Sequence, residues 1–221
     1  MGTGGHGELI SFLKDNKSLQ RIAQYANGES GTAVSGIFSV INPFLVAFQL
    51  WSPKLHAHYR NHMSIVKKKT GKFNFRGSIF GSASMNFGSN ICSFVHHDSS
   101  NLPFGWCALT ALGEFDPTQG GHLILRNLKL AVQFPPGSTD LIPSATFLHS
   151  NTATRRHKSR MLFTQYSAGW LFQWVDNGCK TEKELKASDK EQYNQMVKLK
   201  ETRWKMGLEM YSTVEDLLEQ I

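Results

Sequence analysis

From Phe73 to about Val175, no apolar run lasts long before Gly, Pro, Asn or Asp interrupts it. The runs are 91–95, 106–115, 122–125, 130–134, 140–142, 145–149 and 160–167. The breaks include Asp116-Pro117, Gly120-Gly121, Pro135-Pro136-Gly137 and Ile142-Pro143-Ser144. Short strands separated at regular intervals by turn residues predict an all-β sandwich or barrel. Gly120, Gly121 and Gly137 are expected in turns that need positive φ.

The flanks read differently. Leu9, Phe12 and Leu13, then Leu19, Ile22 and Ala23, recur at three and four, and Ala26-Asn27-Gly28 reads as a stop. Pro53 suits the first turn of a helix running toward Val66, closed by Lys67, Lys68 and Lys69 before Gly71. From Lys180 the chain is charged and helical again, to Val214-Glu215-Asp216-Leu217-Leu218. The plan is one α+β domain over 1–221: a helical support (1–70), a β core (71–178) and a helical tail (179–221). Helices flanking a double-stranded β-helix, the jelly-roll or cupin-like core, fit this plan, although periodicity alone does not choose that topology.

The 221 residues are 40% hydrophobic, enough for one full core. Cys92, Cys107 and Cys179 are scattered and odd in number, which suggests a reducing, intracellular compartment. No signal peptide is recognised at the start. The most apolar run, 37–51, carries Asn42, Pro43 and Gln49 and is too short for a bilayer, so no membrane partner is expected. The net charge of +7 suits a polyanionic partner without proving one.

Val95-His96-His97-Asp98-Ser99-Ser100-Asn101 crowds two imidazoles and a carboxylate into three residues. It reads either as a solvated turn or as part of a metal site. On a strand end, His96 and Asp98 point to one face. With a distant His they complete the two-His-one-carboxylate set that holds one face of a ferrous ion and leaves positions open. His149, at the end of the run 145–149, is the natural third ligand. His97 is the alternative, disfavoured because it points away from Asp98. If Arg160 starts a strand adjacent to that of His149, its planar fork can grip the far carboxylate of a dicarboxylate bound at the metal, as 2-oxoglutarate requires.

Here the text becomes recognisable: HHDSSNLPFGWCALTALGEFDPTQGGHLIL, LKLAVQFPPGSTDLIPSATFLHSN and SRMLFTQYSAGWLFQWV. Over roughly Phe73 to Gly178 it resembles the fungal 2-oxoglutarate- and Fe(II)-dependent dioxygenase domains of the TET/JBP nucleic-acid oxygenases. The resemblance implies iron on His96, Asp98 and His149, with 2-oxoglutarate salt-bridged by Arg160. It also implies a flipped base held by Asn101 and stacked on Tyr166, molecular oxygen as co-reactant, and methylated DNA, or else RNA, as partner, in the nucleus. The implied reaction is oxidation of 5-methylcytosine. Alternatives are N6-methyladenine or an RNA base, hydroxylation of a protein or metabolite, or an inactive nucleic-acid-binding relative. Two departures stand out. Leu162 replaces a small hydroxyl residue that many relatives carry two beyond the arginine, and the N-terminal part is short.

Other residues have blander readings. His58 and His62 share a helix face that reads as solvated. His122 reads as structural, and Trp106 as core. Cys92 and Cys107 read as buried thiols in strands. Trp170, Phe172 and Trp174, spaced by two, read as a sheet face, or else as a base-stacking platform. Lys67, Lys68, Lys69, Arg155 and Arg156 are candidate phosphate contacts or simply solvated charge.

Overall fold

The computed structural model describes residues 45–71, 78–86 and 91–219. The helical repeats and stop expected between Leu9 and Gly28 lie outside the described residues.

Residues 45–51 are helical. Helix α1 (Pro53–Thr70) follows with Pro53 in its first turn, where a missing N–H is harmless. It ends at Gly71, whose φ of 65° gives the left-handed cap that residues with a Cβ avoid. Lys67, Lys68 and Lys69 occupy the last turn, at the negative end of the helix dipole.

Seven strands follow: β1 (Ser82–Asn86), β2 (Cys107–Glu114), β3 (Leu123–Leu125), β4 (Leu130–Val132), β5 (Thr139–Ile142), β6 (His149–Asn151) and β7 (Ser159–Tyr166). They form two antiparallel sheets, ordered β1-β7-β2-β5 and β4-β3-β6. Helices α2 (Gly169–Asp176), α3 (Glu182–Ser188), α4 (Lys190–Glu209) and α5 (Val214–Leu218) close the chain. Thr181 and Thr213 begin α3 and α5 with reciprocal capping boxes to Glu184 and Asp216.

Strand β2 explains the layering. Its run Cys107-Ala108-Leu109-Thr110-Ala111 is buried on both faces, as a strand covered on both sides must be. Cys107, Leu109 and Ala111 face Leu123, Leu125, Phe134 and Ile142 in a cluster between the sheets. Ala108 faces the other way, into a cluster of Phe48, Leu55, Tyr59, Met63, Phe80 and Phe172. Helices α1 and α2 therefore cover one face of the larger sheet, and the smaller sheet covers the other. Among the described residues, no helix is long and apolar enough to cross a membrane.

Several expectations need correction. The run 91–95 is not a strand; Phe94 is 96% exposed and Cys92 is exposed, so that thiol is not a core group. The run 145–149 is mostly turn, and His149 begins β6 instead of ending a strand. Pro143 explains this, because its ring locks φ and Thr146 and Phe147 donate back to its carbonyl. His149 and Arg160 are not on adjacent strands; β6 belongs to one sheet and β7 to the other. The alternation at Trp170, Phe172 and Trp174 is helical, in α2, with Phe172 buried and Trp170 exposed. Apolar residues two apart in so short a run do not separate the two periods.

Candidate metal and anion site

The two sheets and the segment 91–101 wall a cavity of about 460 Å³. On β7 every second residue faces it: Arg160, Leu162, Thr164 and Tyr166. Their β1 partners Ser84 and Asn86 continue that wall. Opposite stand His149, Ser150 and Asn151 of β6, with His96, His97, Asp98 and Asn101 of the preceding segment.

His96 and His149 meet through a reciprocal pair of backbone bonds, N–H to carbonyl at 3.0 and 2.8 Å. A pair opposed in this way shares a face, and the ring centroids lie 4.4 Å apart. Asp98 is fixed by its own N–H, which donates to the Ser144 carbonyl at 2.8 Å. One ligand atom from each of His96, Asp98 and His149 lies within 4.8 Å of the others, a group able to hold a metal ion.

The ring tautomers suit that use. His149 Nδ1 lies 2.9 Å from the Phe147 carbonyl, and His96 Nδ1 lies 2.8 Å from the Phe94 carbonyl. A carbonyl only accepts, so each Nδ1 must carry the proton, and each Nε2 keeps a lone pair. Burial holds His149 below the ordinary histidine pKa, keeping it neutral near pH 7, with the Phe147 bond opposing only in part. His96 Nε2 lies 3.7 Å from Asp98 Oδ1. His97 also lines the cavity but is exposed, and its ligand atoms are not in the group.

Arg160 sits on the other wall with 1% exposure. Its Nε and Nη1 are buried with no hydrogen-bond partner, and no ion pair reaches it among the described residues. Phe115 and Phe134 flank the guanidinium at 5.9 and 5.8 Å from their ring centres. Burial pushes its pKa down, but guanidinium remains cationic in proteins. Gly121 lets the chain close over its stem: a Cβ there would meet the Phe115 ring at 2.7 Å and Arg160 Cδ at 3.2 Å, and φ is +73°. A buried cation with unused donors is costly unless an anion completes it.

Asn101 and Tyr166 line the same cavity. Leu162 presents no polar atom there, and Thr164 puts a hydroxyl one β repeat further on. Ser144 escaped the sequence reading, which saw only a turn at Ile142-Pro143-Ser144. Alternation outward from Arg160 would have pointed to Thr164. His122 stays outside the lining, bonded to Thr152. Lys67, Lys68, Lys69, Arg155 and Arg156 are exposed and line none of the cavity.

His58 and His62 are not solvated. His62 is 15% exposed and bonded to Asp176 of α2 at 2.9 Å, and His58 stacks on Phe172 at 5.1 Å. Asp176 lies 114 residues from His62 in sequence, so no local pattern announces the contact.

No family model matches the chain, and no curated protein matches it. Among solved structures, it is similar to NgTET1 in complex with 5mC DNA at 17% identity, over 49% of this chain and 42% of that one, with a TM-score of 0.39. The viral collagen prolyl hydroxylase vCPH from Paramecium Bursaria Chlorella virus-1, in its 2OG complex, matches at 14% identity over 46% of this chain and 69% of that one, with a TM-score of 0.29. The chain thus spans less than half the length of NgTET1, and likenesses this distant assign no residue a role.

Proposed function

We propose that the chain is a 2-oxoglutarate- and Fe(II)-dependent dioxygenase on a double-stranded β-helix core, oxidising a methylated base in nucleic acid, 5-methylcytosine in DNA first. One observation carries the reading. A single cavity holds a His-Asp-His group with free imidazole lone pairs and, on the facing sheet, a buried arginine with unused donors.

The residues fit both groups. His96, Asp98 and His149 would hold the ferrous ion: two neutral nitrogens and one hard anionic oxygen, with coordination positions left open. Arg160 would hold the distal carboxylate of 2-oxoglutarate, using the donors that now lack partners. Bound there, iron and 2-oxoglutarate would supply the oxidising power to hydroxylate a methyl group with molecular oxygen. The protein's own share is orientation and exclusion of water. Leu162 offers the cosubstrate no hydrogen bond, so Arg160 carries that end of the molecule. Phe115 and Phe134 keep water from the guanidinium.

For the substrate, Tyr166 supplies a stacking face and Asn101 an amide at the cavity wall. A base within a duplex must flip out to enter such a site. The +7 charge and the exposed Lys67, Lys68, Lys69, Arg155 and Arg156 suit phosphate contacts, which position a strand without reading it. A DNA substrate would suit a nuclear location. One observation favours a second reading, the same chemistry on a protein or metabolite: among the described lining residues Arg160 is the only lysine or arginine.

The test combines protein, ferrous ion, labelled 2-oxoglutarate and oligonucleotides bearing 5-methylcytosine or N6-methyladenine, as DNA and RNA, with succinate and oxidised base read in parallel. Coupled turnover on a methylated base is expected. Succinate formation without coupled oxidation of any base would shift the reading to a protein or metabolite.

A further inference from the structure

The side chain of Asn101 is already engaged inside the site. Its Nδ2 donates to Asp98 Oδ2 at 3.4 Å and to Ser144 Oγ at 3.1 Å. A primary amide nitrogen has two hydrogens, so both donors are used. The orientation is forced chemically, because turning the amide over would set its oxygen against an ionised carboxylate. The backbone around Asn101 is held equally firmly. Its N–H donates to the Asp98 carbonyl at 2.9 Å, and Asn101 pairs with Ala168 in an isolated bridge. On either side, Gly169 N–H reaches the Ser100 carbonyl at 2.9 Å and Leu102 N–H reaches the Ser167 carbonyl at 3.1 Å. Ser144 is 1% exposed, and its carbonyl accepts the Asp98 N–H.

Asp98 is thus gripped at both ends, by Ser144 at its backbone and by Asn101 at one carboxylate oxygen. The other oxygen, Oδ1, is the one that faces His96 Nε2. We infer that Asn101, anchored on Ser144, is a positioning residue that holds back Asp98 Oδ2 and presents Oδ1 alone to a metal. The inference rests on the metal-site reading above and deepens it. It also leaves Asn101 only Oδ1, an acceptor, to offer any other molecule in the cavity.

The experiment is calorimetric titration of the full chain with Mn²⁺ alone, without cosubstrate, alongside melting of the metal-free protein. Losing the partner of a metal-ligating group typically weakens metal binding by about 10–100-fold, so Asn101→Ala should raise the Mn²⁺ Kd at least about tenfold. Ser144→Ala should raise it less, in the same direction. The double variant should be no weaker than Asn101→Ala, because the two act through one carboxylate, whereas independent damage to the fold would add. Isotope-edited infrared spectra of labelled aspartate should show one-oxygen coordination in the wild type and two-oxygen coordination in Asn101→Ala. If Asn101→Ala melts too low to titrate, the Ser144→Ala titration and spectrum decide alone. Variants that bind Mn²⁺ as tightly as wild type, with unchanged spectra, overturn the inference. A wild type that binds no Mn²⁺ overturns the metal-site reading itself.

Discussion

Among the described residues the fold builds two His-His-Asp groupings, and only one brings a ligand atom from all three residues together as a metal would need. In the helical layer, His62 Nδ1 meets the His58 carbonyl at 2.8 Å and its Nε2 meets Asp176 at 2.9 Å. Both partners accept, so both ring nitrogens carry protons and no lone pair remains. In the cavity, His96 and His149 each spend only Nδ1 on a carbonyl and keep Nε2 free. Residue types are nearly the same in the two places. What differs is whether the fold has already supplied every partner. At His62 and Asp176 the helical layer is complete, with Arg203 3.8 Å from the other Asp176 oxygen, whereas His58 packs on Phe172 and buries its Nε2 without a hydrogen-bond partner. The cavity is incomplete at the imidazoles and again at Arg160.

The largest effects should come from the cavity ligands. Asp98→Ala and His149→Ala should lose Mn²⁺ binding in calorimetry by more than the roughly 10–100-fold expected for removing a ligand's hydrogen-bond partner. His62→Ala should leave it unchanged. Strong binding that depends on His62 would erase the contrast.

Arg160 should separate function from stability. Arg160→Ala should weaken 2-oxoglutarate binding by about 2–5 kcal/mol, the range for truncating one side of a buried charge pair, with Arg160→Lys in between. Without ligand, the buried charge is uncompensated. Arg160→Met should therefore melt higher than wild type, by about 1 kcal/mol or more if it follows other buried-charge replacements. Asp176→Ala should melt lower, because it strands the His62 cation. A lower melting point for Arg160→Met would mean that its charge is compensated in solution.

Next in size is Tyr166. Base stacking on an aromatic is worth roughly 1–3 kcal/mol, so Tyr166→Ala should slow base oxidation about tenfold and spare 2-oxoglutarate binding. Base oxidation at the wild-type rate would remove Tyr166 from substrate contact.

The smallest effect is one of pH. Burial, helped by His62, pushes the His58 pKa down to about 4. The native state refuses a proton that the unfolded chain accepts, so this group lowers stability as pH falls from about 6.5 to about 4. His62 runs oppositely. Burial would lower its pKa, but its bonds to Asp176 and His58 outweigh burial and raise it. Its contribution is full below the ordinary value and is lost as pH rises through the raised one. Asp176 is held below its ordinary value, because His62 and Arg203 outweigh burial, and its contribution is lost only on further acidification. His58→Phe should keep the stacking and remove only the acid loss. Its melting temperature should then fall by a few degrees less than wild type between pH 7 and 4.5, on the roughly 2–4 °C per kcal/mol expected at this size. Equal falls in scanning fluorimetry would assign the loss elsewhere.

Much of this architecture was legible in the chain. Seven short apolar runs with Gly and Pro between them demand a β core, because turn residues end each run before a helix could close its bonds. Five of those runs, 106–115, 122–125, 130–134, 140–142 and 160–167, contain most or all of a strand, and 145–149 touches one only at His149. Pro53 and Gly71 mark the ends of α1 for reasons local to the backbone. The i, i+2 spacing of His96 and Asp98 and the lone arginine at a strand start were visible too, as chemistry without coordinates.

Three things were decided only in three dimensions. That His149 and Arg160 face each other from opposite sheets depends on how two sheets stack, which no spacing along the chain encodes. That Trp170, Phe172 and Trp174 belong to a helix depends on Phe172 finding Tyr59 and His58 beneath it. That His96 and His149 each keep a free ring nitrogen while His62 keeps none depends on Asp176, the Phe94 carbonyl and the Phe147 carbonyl arriving at particular ring nitrogens. Local backbone preferences act within a few residues, so the sequence carries them openly. Partner choice among buried polar groups is settled by desolvation, whose sign depends on neighbours that only the folded chain brings close.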